Sequence, residues 1–394
     1  MTIVAPLSAA FDAITIERLQ ATRATKWSLP GRTIGAFIAE MDFGTPPAVT
    51  AALHEAVEHG CFGYAPTPLV RELQEATAQR LSEAHAWQVD PLDVRPVPDV
   101  ITVLELAIRT GTASGTPVVV PTPAYMNFFG AIRDAGRDVI EVPMLVDEHG
   151  HHTLDLPAIR EAIVSTGAQL VTLCNPHNPT GRVHTRAELE AFSRMLATTS
   201  ARVFVDEIWA PLVFAGHEHV PYASISEVAA SQAITAVAAS KGWNIPGLKS
   251  AQAILSADAD RETWDAMLPP PCHRSANLGM VGTIAAYRDR SGWVEEATAY
   301  LEGNAQLVHE AFTQQVPGAR MGRPEGTYVT WIDVSALELG GSPSEFLLDR
   351  ADVLPTDGAR CGAGSEKCIR FIAAMPRPIL VEALERMTTA LAAR

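Results

Sequence analysis

The chain of 394 residues reads as an α/β protein, with a mainly parallel sheet covered by helices on both faces and a smaller α+β domain beside it. Three observations predict this. Short, nearly continuous apolar runs alternate with amphipathic stretches through the middle of the chain, as expected for strands buried on both faces. The runs end on polar residues that apolar packing does not explain. Beyond about residue 285 the pattern changes to one long amphipathic helix followed by alternating, half-buried strands.

Taken in order, "TPVVVPTP" (116–123), "RDVIEVPM" (137–144), "AQLVTLCNP" (168–176), "ARVFVDEIW" (201–209), "QAITAVAAS" (232–240) and "SAQAILSAD" (250–258) are the candidate strands. Helices are expected over 127–136, 154–167 and 185–200. The last opens on Thr185 with Glu188 three residues on, the spacing of a capping box. A long helix is expected over 292–315, strands over 326–334 and 367–375, and a closing helix from 378. These spans suggest an N-terminal segment (1–45) joining the small domain, a large domain (46–285) and a C-terminal small domain (286–394).

Composition narrows the function. Net charge is −15 and no block of consecutive Lys or Arg occurs, so nucleic acid and anionic membrane surfaces are not expected partners. The longest apolar runs fall far short of the roughly 20 residues a bilayer requires. The start of the chain lacks the basic and apolar regions of a signal peptide. Five scattered cysteines without CxxC spacing suggest neither a disulfide framework nor a zinc site, and a reducing, cytoplasmic setting is expected.

The polar strand ends carry the chemistry. In an open parallel sheet, ligands bind beyond the carboxyl ends of the strands. Here Asn178, Asp206 and Lys241 follow three successive candidate strands, at spacings that each fit one βα unit. A lysine in such a cleft can lose its proton and form a Schiff base. An acid beside it can keep a pyridine nitrogen protonated, which makes the ring an electron sink. Together these are the requirements of pyridoxal 5'-phosphate.

With "CNPHNPTGR", "DEIWAPLVFAGHEHVPYASIS", "EHGCFGY", "IAEMDFGTPP", "PEGTYVTWIDV" and "RFIAAMPRP", the sequence resembles the fold-type-I pyridoxal-phosphate enzymes of aminotransferase class I/II. Within them it is most similar to the cystathionine β-lyase branch, from about residue 26 to the C-terminus. The resemblance implies that Lys241 carries the cofactor and moves the substrate α-proton. It implies that Asp206 pairs with the pyridine nitrogen, Asn178 bonds the ring 3'-oxygen and Tyr125 stacks on the ring. Arg370 would grip the substrate α-carboxylate through its planar fork. Tyr64 would reach the cofactor phosphate of a neighbouring subunit, making the protein a homodimer with shared sites. Ser240, Lys249 and the backbone N–H groups of Val100 and Ile101, at a helix N-terminus, remain for the phosphate.

The implied reaction is β-elimination from a cysteine S-conjugate or cystathionine-like amino acid, giving a thiol, pyruvate and ammonia. Transamination is the alternative, followed by a decarboxylating or oxidative variant on a sulfur-containing amino acid. A non-catalytic protein-binding role is a reading of another class, and the intact Lys241–Asp206–Asn178–Arg370 set speaks against it. Three departures from the family stand out, one being Lys249, which stands where aminotransferases commonly have arginine and supplies the cation without the fork. Trp209 lies where the branch has histidine and aminotransferases have tyrosine, and indole can donate a hydrogen bond but serves as neither acid nor base. Asp99 stands where the phosphate loop has glycine, and nothing in the sequence accounts for an acid there. His177, Arg377 and the histidines of "DEHGHHT" and "GHEHV" read as surface or supporting residues. Residues 26–45 are expected to line the pocket for the group on sulfur.

Overall fold

The computed structural model describes residues 7–267 and 270–393. The opening residues 1–6 of the expected N-terminal segment, and Arg394, the last residue of the expected closing helix, lie outside the described residues. Among the described residues thirteen strands follow in chain order: β1 (Ile34–Ala36), β2 (Val94–Val97), β3 (Val118–Thr122), β4 (Val139–Pro143), β5 (Leu145–Val146), β6 (His152–Thr153), β7 (Leu170–Cys174), β8 (Arg202–Asp206), β9 (Ala233–Val237), β10 (Ala251–Leu255), β11 (Val329–Asp333), β12 (Val353–Asp357) and β13 (Cys368–Ile372).

Seven of them form a sheet in the order β2-β10-β9-β8-β7-β3-β4. Strands β4, β3, β7, β8 and β9 run parallel, whereas β10 pairs antiparallel with both β9 and β2. The six expected central strands are therefore all present. The pattern of apolar runs missed β2, "VRPV", because a proline inside a run argues against a strand. At the edge of the sheet, where β2 lies, proline's missing donor costs no ladder bond. Helices cover both faces. On one side Val103, Leu104, Phe128 and Phe204 pack together. On the other, Ile159, Leu189, Phe192 and Val203 do the same. The helix Arg186–Leu196 starts as expected, with Thr185 and Glu188 forming both halves of a capping box.

A second sheet, β1-β12-β13-β11, is mostly antiparallel, with β1 added parallel to β12. The N-terminal segment thus supplies one of its strands. The boundary expected at 285 falls within the helix Asn277–Arg288. The next helix, Trp293–Gln315, joins the two units: Trp293 to Ala305 pack into the first core, and Val308 to Phe312 into the second. The carboxyl ends of the parallel strands and the Arg370 face of β13 meet across a cavity between the two sheets.

Candidate active site

The cavity encloses about 450 Å³. Ten sequence-predicted residues line it: Val100, Ile101, Tyr125, Asn178, Asp206, Trp209, Ser240, Lys241, Lys249 and Arg370. Tyr64 does not, and is 96% exposed. Of the segment 26–45, only Phe37, Ile38 and Ala39 reach the cavity.

At its floor, Asp206 ends β8 with its side chain 2% exposed. One carboxylate oxygen accepts the Ile208 N–H at 3.0 Å, and no group among the described residues bonds the other. Burial, opposed by that N–H and by Lys241, lifts its pKa to about 7. Lys241 follows β9 and donates from Nζ to the Ala39 carbonyl at 2.7 Å, a carbonyl that also accepts the Tyr328 hydroxyl. Burial, with the Arg370 charge, brings the ammonium down to about 8. Its Nζ lies 5.6 Å from the centre of the Trp209 ring, which is held edge-on against Tyr328. Trp209 is thus a buried aromatic wall beside the lysine.

Arg370 is held in place from three sides. Its Nε donates to Asn178 Oδ1 at 3.0 Å, and Nη1 donates to the Phe37 carbonyl and to Thr356 Oγ1. Thr356 stands opposite Arg370 in the β12–β13 register, which explains how a residue fourteen positions away steadies the fork. Nη2 keeps no protein partner among the described residues. Because Asn178 gives its oxygen to a donor-only guanidinium, its NH2 group is left free. Tyr125 opens the helix Met126–Asp134, its hydroxyl accepting from Asn127, and burial raises its pKa.

The opposite end of the cavity explains Asp99. This residue caps the helix Val100–Gly111, accepting the Thr102 N–H at 2.9 Å, and its second oxygen pairs with Lys249 at 3.1 Å. Burial works against the Asp99 charge, but the Thr102 and Lys249 donors outweigh it and the carboxyl sits below its ordinary value. The cap engages only Thr102, so the N–H groups of Val100 and Ile101 keep no intrahelical acceptor. Beside them Ser250 is buried and its hydroxyl has no partner. Sequence reasoning missed Ser250, since a serine opening an apolar run looks like a turn residue.

These open valences fit pyridoxal 5'-phosphate group by group. Two helix-start N–H groups, the orphan Ser250 hydroxyl and the Lys249 ammonium suit a phosphate. The unpartnered oxygen of Asp206 suits a ring N–H, and the free Asn178 amide suits a ring oxygen. The supporting histidines are more buried than their polarity suggests: His152, His177 and His219 are each less than 8% exposed, whereas His149 and His217 lie at the surface.

Residues 37–387 match the family of aminotransferases class I and II. The chain is 31% identical to the cystathionine β-lyase PatB of Bacillus subtilis (strain 168), over 95% of this chain and 98% of the relative. It is 33% identical to the cystathionine β-lyase of Corynebacterium glutamicum, over 95% and 99%. Among solved structures, the pyridoxal-phosphate-bound C–S lyase of Staphylococcus hominis is similar at 25% identity and a TM-score of 0.88, covering 97% of this chain and 98% of that one. With the match covering nearly the whole chain, the protein belongs to the aminotransferase class I and II family.

Proposed function

We propose that the protein is a pyridoxal 5'-phosphate-dependent carbon–sulfur β-lyase that acts on a cysteine S-conjugate or a cystathionine-like amino acid. The observation that carries this reading is the convergence of a desolvated lysine, a buried carboxylate with one free oxygen and an arginine with one free Nη in a single cavity. The names of the relatives in the cystathionine β-lyase branch select C–S cleavage among the reactions such a site supports.

Each residue has a task. Lys241 would hold the cofactor covalently until the substrate amine displaces it, which frees the ε-amine to act as a base, and Asp206 would take the ring nitrogen, while Val100, Ile101, Ser240, Lys249 and Ser250 would take the phosphate. The bound cofactor supplies a sink for the electron pair left at the substrate Cα when its proton departs. Arg370 Nη2 binds the α-carboxylate, with the rest of its fork fixed by Asn178, Phe37 and Thr356. This grip holds the Cα–H bond toward Lys241, whose lowered pKa suits it to accept that proton near neutrality. The Cβ–S bond then breaks, its electron pair leaving with sulfur as thiolate, and water converts the three-carbon remainder to pyruvate and ammonia. Trp209, Tyr125 and Ile208 line the site and keep bulk water from the reacting atoms.

The same reading makes the protein a cytoplasmic homodimer, with the exposed Tyr64 reaching a neighbouring subunit's phosphate site, and divides the chain near residues 45 and 285. The test is to mix cofactor-loaded protein with L-cystathionine or an S-alkyl-cysteine and to follow products and cofactor absorbance together. Stoichiometric pyruvate and thiol, with the absorbance restored after each turnover, support β-elimination. Conversion of the cofactor to its amine form, reversed by a keto acid, overturns it in favour of transamination.

A further inference from the structure

We propose that Arg360 makes this cavity selective for S-conjugates whose sulfur-borne group ends in an anion, such as S-(carboxyalkyl)cysteines. The inference rests on the lyase reading for the orientation of the substrate, and on an unused charge for its content.

Four cations line the cavity: Lys241, Lys249, Arg360 and Arg370. The lining carboxylates are Asp99 and Asp206. Lys249 is paired with Asp99, and Lys241 and Arg370 are tied to backbone carbonyls and to Asn178. Arg360 has no hydrogen bond or ion pair among the described residues, although the chain as a whole carries fifteen surplus negative charges. It lies in the short turn Gly358–Cys361 that follows β12, the strand whose Thr356 steadies Arg370. Both arginines therefore come from the smaller sheet, whereas Asp99, Val100, Ile101, Lys249 and Ser250 come from segments flanking β2 and β10 of the larger one. The two guanidinium charges oppose each other, since Arg360, after burial, is one of the influences that lower the Arg370 pKa. Two like charges facing one cavity are stabilised together when anions enter between and beside them.

A cysteine S-conjugate bound with its α-carboxylate on Arg370 Nη2 uses one of these cations. With Arg370 on the α-carboxylate and Lys241 facing Cα, the sulfur substituent is left the remainder of the cavity, whose lining includes the exposed Arg360. A carboxylate there gains a charge-assisted contact that a neutral group lacks. An ammonium gains nothing, because Asp99 is engaged and Asp206 lies at the buried floor. The preference thus falls on substituents with net negative charge, ahead of both neutral chains and zwitterionic ones such as the distal end of cystathionine.

The experiment compares S-(2-carboxyethyl)-L-cysteine with its isosteric amide, S-(2-carbamoylethyl)-L-cysteine, on the holoenzyme and on Arg360→Gln and Arg360→Lys variants. The acid is expected to exceed the amide in kcat/KM by about threefold, a modest factor because Arg360 is exposed and screened. In Arg360→Gln the ratio is expected to fall to about one, and Arg360→Lys to restore part of it. An acid-to-amide ratio near one in the wild type, or one unchanged in Arg360→Gln, overturns the proposal. If neither conjugate yields pyruvate, the lyase reading fails, and binding decides the Arg360 proposal separately. Glutarate should then quench the tryptophan fluorescence of the holoenzyme at lower concentration than glutaramate does, with the difference lost in Arg360→Gln. Equal binding of the two by the wild type overturns it.

Discussion

Two lysine–aspartate pairs lie within the first core and its border, and they are built in opposite ways. Lys26 and Asp42 have side chains 1% and 4% exposed and meet at 2.9 Å. Trp27 donates to the other Asp42 oxygen at 2.7 Å, and the Ala374 carbonyl accepts from Lys26. Burial pushes the Asp42 carboxyl up, and two donors, Lys26 and Trp27, oppose it. Lys241 and Asp206 feel each other's charge without bonding, and each keeps valences that no group among the described residues fills. The first pair is closed and serves the architecture. The second is open, and its cost is borne by the fold until a ligand supplies the missing partners. In a buried ion pair, the unfilled valence separates a site from a strut.

Replacing each lysine should break this comparison if it is wrong. Lys241→Ala is expected to reduce pyruvate release by about four orders of magnitude or more, since the residue both holds the cofactor and moves the proton. The same change should leave resistance to urea undiminished in the cofactor-free protein, because it removes a desolvated charge. Lys26→Ala should do the reverse. It strands the Asp42 carboxylate, a loss of about 3–5 kcal/mol for a buried pair deprived of one member. Urea unfolding of the two variants, read beside their lyase activity, checks both halves. Loss of fold in Lys241→Ala, or full stability in Lys26→Ala, sinks the distinction.

The open pair also predicts a pH dependence. Asp206 ionises near its ordinary value of 3.8 in the unfolded chain and at about 7 in the fold. Between these values the folded protein binds the extra proton, so the stability of the cofactor-free protein falls as pH rises from about 4 to about 7. Above pH 7 the whole penalty is present. Asp206→Asn removes it, so the variant's thermal midpoint should exceed the wild type's at pH 8 and match it near pH 4. A midpoint difference that does not change with pH would mean that Asp206 is already satisfied in the fold.

Much of this was legible in the sequence, for reasons that particular residues make plain. Lys241, Asp206 and Asn178 are polar where apolar strands stop, and a parallel sheet brings such ends to one edge. Thr185 and Glu188 are local partners, so their spacing alone located a helix start. The antiparallel course of β10 was hidden, because a buried strand reads the same in either direction. Arg360, Thr356 and Ser250 gain their meaning from chain segments far away. The Thr356–Arg370 contact exists only through strand register, and the orphan state of Ser250 only through what fails to pack beside it. Asp99 looked misplaced beside a phosphate until its two oxygens were seen to be shared between Thr102 and Lys249.

That sharing makes Asp99 a third kind of pair, half exposed and partly closed, and it yields the smallest of the expected effects. Its two functions can be separated. Asp99→Asn keeps an oxygen for the Thr102 N–H, so the cap survives and stability should change by less than about 0.5 kcal/mol, as for an exposed ion pair. Asp99→Ala loses the cap and about 1 kcal/mol with it. Toward the cofactor the variants should differ in another way. Removing the carboxylate charge frees the Lys249 ammonium and takes a negative group from beside a phosphate, so Asp99→Asn should hold pyridoxal 5'-phosphate severalfold more tightly, and less so in high salt. Asp99→Ala frees the same ammonium but frays the first turn that presents the Val100 and Ile101 N–H groups, and its gain should be smaller. Titrating the two variants with the cofactor, followed by its absorbance, measures both. If Asp99→Asn instead weakens binding, the carboxylate is aiming Lys249 rather than competing for it, and this pair belongs with the closed kind.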